Sequence, residues 1–249
     1  MTPETPFILM LGAIIGSFLN MVIYRLPAGL PWTGRSQCIH CKHTLTWPSL
    51  IPILSYLFLL GKCRFCRIKI PLRYLLVEVA MASLLALFWI QFGPSILFLK
   101  ASLFASVLLA LLCMDLDHYL LPDKLTLPLI IAGPLWHLGH GGFWTSLLAG
   151  MVGFGTLSMI NFVGKKIYKR DVLGGGDMML AAAIGTWWGL SLMWISLYVG
   201  FLVGGLLAVG LLLLRKKGRR DEMPFGPAMI VGWLIAFAQY DWIIGIFFR

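Results

Sequence analysis

Two Cys-x-x-Cys pairs and two widely separated aspartates are the residues of this 249-residue chain whose types and spacing point to chemistry. The cysteine pairs, Cys38/Cys41 and Cys63/Cys66, are separated by 21 residues. At about that separation two knuckles each give two sulfurs to one tetrahedral zinc ion. Gly34 precedes the first pair and Gly61 the second, where tight turns are wanted. Four thiolates complete such a cage, so the expected role is structural zinc, with disulfide or redox use as the competing reading. His40 and His43 are then loop residues rather than ligands, and Cys113, alone in an apolar stretch, is a small packing residue.

Only ten residues are acidic, so their positions carry information. Asp115, Asp117 and Asp123 cluster at the end of one apolar run, and Asp177 follows Gly174-Gly175-Gly176 at the opening of another. Ionisable groups at membrane depth are costly and are functional candidates by default. Two facing carboxylates do not readily ionise together: one keeps a proton while the other acts as a base on water. Asp115 and Asp177 paired in that way would make an aspartic protease, with the protons belonging to the pair. The glycines before Asp177, notably Gly174 and Gly176 of a Gly-x-Gly-Asp motif, let backbone approach a substrate strand or the partner aspartate. Other readings stand beside this one. The aspartates could cap helix N-termini or sit in a helix interface. They could serve a proton- or cation-coupled transporter, although no inverted repeat is evident. The chain could also be a non-catalytic zinc-bearing scaffold.

The elements that must position these groups are membrane helices. The chain is 59% hydrophobic and only 12% charged, with a mean hydropathy of +0.88, whereas soluble domains carry about 25% charged residues. Up to eight apolar runs are visible, near 7–24, 75–92, 95–113, 125–138, 144–164, 178–190, 192–214 and 226–248. The expectation is an all-α, polytopic bundle of about eight transmembrane helices. Lys and Arg concentrate in the connecting segments 25–73, Lys124, 165–170 and 215–220; Lys100 and Arg249 fall on the other side if all eight runs span. That segregation places the four segments, and the ends bearing Asp115 and Asp177, in the cytoplasm. The net charge of +10 is then directed at anionic lipid headgroups and not at nucleic acid. The N-terminus lacks the basic n-region of a cleavable signal, so residues 7–24 are expected to be a retained span. Three parts follow: a first helix (1–24), a cytoplasmic tetracysteine zinc domain (25–73) and a membrane peptidase core (74–249).

The ordered set Gly16-Ser17-Phe18-Leu19-Asn20, Tyr24-Arg25-Leu26-Pro27, both cysteine pairs, Asp115-Leu116-Asp117 with Leu121-Pro122-Asp123, Gly174–Asp177 and Pro224-Phe225-Gly226-Pro227 resembles the type IV prepilin leader peptidase/N-methyltransferase family of membrane aspartic proteases. The resemblance implies a prepilin peptidase in the bacterial cytoplasmic membrane. Such an enzyme cuts the leader of prepilins or pseudopilins after a glycine at the cytoplasmic face, for pilus assembly or type II secretion. It also implies that Asp115 and Asp177 are the catalytic pair, with Asp117 and Asp123 at nearby family positions. The four cysteines imply the bifunctional form, which methylates the new N-terminus with S-adenosylmethionine, and Gly61 matches the family glycine tied to that activity. Two departures stand out: the stretch 169–174 leading to the second aspartate, and Ile39 where a proline is common. Glu78 matches an acidic family position and is expected either to pair with Arg73 or to meet the leader. Ser17 and Asn20 share a face of the first span, suited to hydrogen bonding between helices.

Overall fold

A computed structural model describes residues 3–214 and 224–239. Among these the fold is helical, with only two isolated β-bridges, Gln37 with Thr44 and Lys62 with Lys69. Five helices are long and apolar enough to cross a membrane: α1 (Thr5–Arg25), α3 (Arg73–Phe92), α4 (Ile96–His118), α6 (Phe143–Tyr168) and α7 (Gly175–Leu213). This is a multi-pass membrane protein. Three shorter helices complete the set: α2 (Leu54–Phe58), α5 (Asp123–Trp136) and α8 (Gly226–Ala238).

The eight expected runs do not all stand as separate long spans. The fourth is a helix of 14 residues carrying Pro128 and Pro134 in its interior. The sixth and seventh are joined end to end in α7, two helices that meet at Gly189, whose φ of 80° and ψ of 179° break the helical geometry. Glycine adopts such angles without a Cβ clash, so the break between the runs 178–190 and 192–214 falls where one helix gives way to the next. The eighth run is described as α8; its remainder, the basic segment 215–220 and Arg249 lie outside the described residues.

Backbone contacts divide the chain into two compact units, Met1–Cys113 and Met114–Arg249, a boundary that falls inside the last turns of α4. In the first unit α1 packs on α3 through Gly12 and Gly16. A Cβ at Gly12 would stand 2.6 Å from the Ala82 Cα, and one at Gly16 would stand 2.7 Å from the Glu78 Cα. Small residues four apart let membrane helices approach this closely, where van der Waals packing replaces the hydrophobic drive available in water. Asn20 adds a polar tie, its Nδ2 donating to the Tyr74 carbonyl at 2.9 Å, as the shared face of Ser17 and Asn20 predicts.

In the second unit α7 is the central element, packed against α5, α6 and α8. Its contact with α6 again runs through small residues, a Cβ at Gly153 coming 2.7 Å from the Ala181 carbonyl oxygen. Trp187 Nε1 donates to the Leu129 carbonyl at 2.6 Å, tying α5 to α7. Ser146 donates its hydroxyl to the Thr186 carbonyl, tying α6 to the same helix. These buried ties fix the height of α7, and hence of the turn that begins it.

Candidate active site and thiolate centre

Three helix ends meet in the second unit. Asp115 lies in the last turn of α4. Tyr119 follows in the left-handed conformation (φ 53°), its N–H donating to the Asp115 carbonyl at 2.9 Å, and the chain turns through Leu121 into α5. Asp177 lies in the first turn of α7, and Gly226 opens α8. Asp115 and Asp177 are 5% and 8% exposed, and they lie near enough for their charges to interact.

Glycines make the meeting possible. A Cβ at Gly176 would stand 2.6 Å from the Leu121 Cβ, and one at Gly226 would stand 2.5 Å from Asp115 Oδ2 and 3.3 Å from Leu121 Cδ1. At Gly175 nothing comes within 4 Å, so that face of the turn is open. The Gly226 N–H is directed toward both carboxylates. It completes no hydrogen bond with Asp115 Oδ2, which is buried without a partner. A buried polar oxygen left unpaired is exceptional in folded proteins and marks a place for a donor from outside, such as water or a peptide.

Asp177 is oriented by its own helix. The Gly174 N–H donates to Asp177 Oδ2 at 3.2 Å, and the Asp177 N–H donates to the Gly174 carbonyl at 3.1 Å. The capping alternative raised by the sequence therefore describes part of what Asp177 does, and it fixes the carboxylate rather than removing it from the site. Asp117 and Asp123 are exposed and are not gathered with the buried pair.

The loop into the turn is clamped onto α6. Asn161 Oδ1 accepts the N–H groups of Val172 (2.8 Å) and Leu173 (3.1 Å), while its Nδ2 donates to Asp171 Oδ1 at 3.1 Å. Lys165 Nζ reaches both Asp171 oxygens at 3.1 and 3.0 Å. Hydrogen bonds from Lys165, then Asn161, hold the Asp171 carboxyl below the usual carboxylate range. Asn161 and Gly226 are the positioning groups that residue spacing does not reveal. Each acts on a partner brought close only by the fold, although the motif around Gly226 is visible.

The thiolate centre lies in the first unit. All four sulfurs fall within 4.8 Å of one another, and Cys38 and Cys66 Sγ are 3.8 Å apart. A tetrahedral cage with Zn–S bonds of about 2.3 Å has sulfur–sulfur edges of roughly 3.8 Å, so the cluster fits a metal and is far from disulfide spacing. Each knuckle repeats the same backbone figure. Cys38 N–H donates to the His43 carbonyl and Lys42 N–H to the Cys38 carbonyl; Cys63 N–H donates to the Ile68 carbonyl and Arg67 N–H to the Cys63 carbonyl. Lys42 and Arg67, four residues after each first cysteine, both take positive φ.

The thiols titrate as a group. Burial pushes the Cys38 thiol up, but backbone N–H groups of Cys41 and His40 and the side chains of Cys41 and Cys63 together bring it down to about 7. At Cys66 a backbone hydrogen bond from Ile68 pulls downward, but burial and the other three cysteines push it up to about 11. His43 stacks on Phe65 with centroids 3.6 Å apart and is not part of the cluster. Gly61 has φ 66°, and a Cβ there would stand 2.8 Å from the Tyr56 hydroxyl oxygen, so both its conformation and its neighbour require glycine.

Two family descriptions match the chain: the bacterial peptidase A24 N-terminal domain over residues 10–92, and the type IV leader peptidase family over residues 102–209. Among curated proteins, a prepilin leader peptidase/N-methyltransferase of Aeromonas hydrophila is 38% identical, across 89% of this chain and 86% of the relative. Proteins of the same name from Neisseria gonorrhoeae (34% identical; 92% and 89% covered) and Dichelobacter nodosus (32%; 97% and 94%) are similar over nearly their full lengths. No solved structure matches.

Proposed function

Because the chain belongs to the type IV leader peptidase family, we propose that Asp115 and Asp177 are the pair with which it hydrolyses the leader peptide bond of a prepilin or pseudopilin. The enzyme is a membrane peptidase of the prepilin-processing type that is also an N-methyltransferase. The observation that carries the residue assignment is the burial of two carboxylates on converging helix ends, close enough to interact and facing the same Gly226 backbone.

The chemistry follows from that geometry. One carboxyl of the pair carries a proton while the other, ionised, takes a proton from water as it attacks the scissile carbonyl. The protonated partner then delivers its proton to the departing amine. The bond from Gly174 aims Asp177, and the open face at Gly175 gives an extended leader room to lie against backbone. A bilayer holds the apolar helix of the substrate, and the concentration of Lys and Arg in connecting segments supports a site at the cytoplasmic face of the bacterial inner membrane. No observation favours transport.

The four cysteines hold Zn²⁺ as a structural staple for a segment too short to build much core of its own. S-adenosylmethionine supplies the methyl group for the new N-terminus. Asp115→Asn and Asp177→Asn test the peptidase assignment with purified enzyme and prepilin in detergent. Each should lower cleavage by about a hundredfold or more while the protein stays folded. Wild-type cleavage by either variant would sink the assignment.

A further inference from the structure

Within the first unit, beside the knuckles, lies a cavity of about 780 Å³ lined by both α1 and α3. Small-molecule sites occupy about 300–1,000 Å³, and this one contains polar groups that the fold leaves unsatisfied. Asn20, 2% exposed, spends its Nδ2 on the Tyr74 carbonyl, but its Oδ1 is buried with no partner. Glu78, 8% exposed, accepts the Ile53 N–H on Oε2 at 2.7 Å. The expected pairing of Glu78 with Arg73 is not formed, and no cation pairs with Glu78 among the described residues. A buried carboxylate without a direct counter-charge is costly, so Glu78 offers a place for a positive atom, while Arg25, Arg35, Lys42, Arg64 and Lys69 on the same lining suit the carboxylate of a zwitterionic ligand.

The contact that aims Glu78 is strained. Ile53 has φ 61° and ψ −56°, and the Leu54 N–H closes onto the Pro52 carbonyl at 2.6 Å. This is a γ-turn of the rare positive-φ kind, centred on a β-branched residue. Strain of this sort persists at ligand clamps because the surroundings impose it. Tyr24, Tyr56 and Tyr74 also line the cavity, and aromatic faces attract cations.

We propose that this cavity is the methyl-donor site, with Glu78 facing the sulfonium of S-adenosylmethionine and Asn20 Oδ1 accepting a hydrogen bond from one of its amino groups. The proposal rests on the reading that the chain transfers methyl groups. In the reaction the neutral N-terminal amine forms a bond to the methyl carbon as the carbon–sulfur bond breaks. Sulfur keeps that electron pair and becomes a neutral thioether, and the surplus proton passes from nitrogen to water. Glu78 thus faces a positive charge that the reaction abolishes, which holds the donor and lets the product go.

Equilibrium dialysis of the full-length, zinc-loaded protein with labelled S-adenosylmethionine and S-adenosylhomocysteine tests this directly. Glu78→Gln preserves the size and the acceptor for Ile53 but removes the charge. It should weaken donor binding about tenfold or more and leave the product, whose sulfur is neutral, within about twofold. Met21→Trp, which fills the cavity from α1, should abolish binding of both, with leader cleavage reporting that each variant is folded. If both variants bind the donor as wild type does, the placement is wrong. If Glu78→Gln weakens donor and product equally, the sulfonium contact is wrong. If the wild type neither binds the donor nor methylates a cleaved pilin, methyl transfer itself fails and the placement falls with it.

Discussion

The thiolate centre and the carboxylate centre are assembled in opposite ways. Four cysteines come from two short knuckles, each closed by its own backbone hydrogen bonds, so the sulfurs converge with little help from elsewhere. Asp115 and Asp177 stand on different helices and meet because glycines remove side chains where Leu121, Gly226 and the carboxylates crowd together. A local site depends on its ligand and its turns. A site made from helix ends depends on the packing of whole helices, and its weak points can be glycines that bear no reactive group.

Metal removal should separate the two centres most sharply. Metal binding at such a cage is largely folding free energy. A chelator that strips the proposed zinc should expose Arg64 and Arg67 to trypsin and abolish methyl transfer, while leader cleavage persists within about threefold. Loss of both activities together would mean the centres are not separable. A steric change at the other centre should cost less: overpacking a tight site costs about 1–3 kcal/mol. Gly226→Ala, whose Cβ would press on Asp115 Oδ2, should therefore slow cleavage about tenfold with cysteine reactivity unchanged. Wild-type cleavage would show that the close approach at Gly226 is not needed.

The smallest effects belong to the clamp on α6. Asn161→Leu, which frees the N–H groups of Val172 and Leu173, should slow cleavage severalfold, about the worth of one or two hydrogen bonds. Asp171→Asn should do less, because the Lys165 pair is exposed and screened. The folded Asp171 carboxyl lies below its ordinary value. Its tie is therefore complete above the ordinary carboxylate range and is lost only as pH falls through the lower folded value. A pH–cleavage profile from about 5 to 8 should have the same shape in Asp171→Asn as in wild type; a divergence near neutral pH would contradict this assignment.

The same contrast explains what residue order revealed. The cysteine cage was legible because spacing alone brings its ligands together. The aspartates were legible as types and as members of ordered motifs, but burial is what separates Asp115 and Asp177 from the exposed Asp117 and Asp123. The crowding at Gly226, the reach of Asn161 and the partner of Glu78 depend on contacts between residues distant in the chain, which periodicity does not encode. One signal was present: Gly12 and Gly16 have the four-residue spacing of close helix contacts, and they lie on the face of α1 that meets α3. The break between the sixth and seventh runs was legible in Gly189-Leu190-Ser191, and it is at Gly189 that the two helices of α7 meet.

The bond from the Gly174 N–H to Asp177 joins scaffold and proposed reagent in one side chain. A chain whose seventh helix has not yet begun at Gly174 has no aimed second carboxylate. Whatever unravels the first turn of that helix therefore takes the aim of the carboxylate with it, even where the side chain itself is untouched.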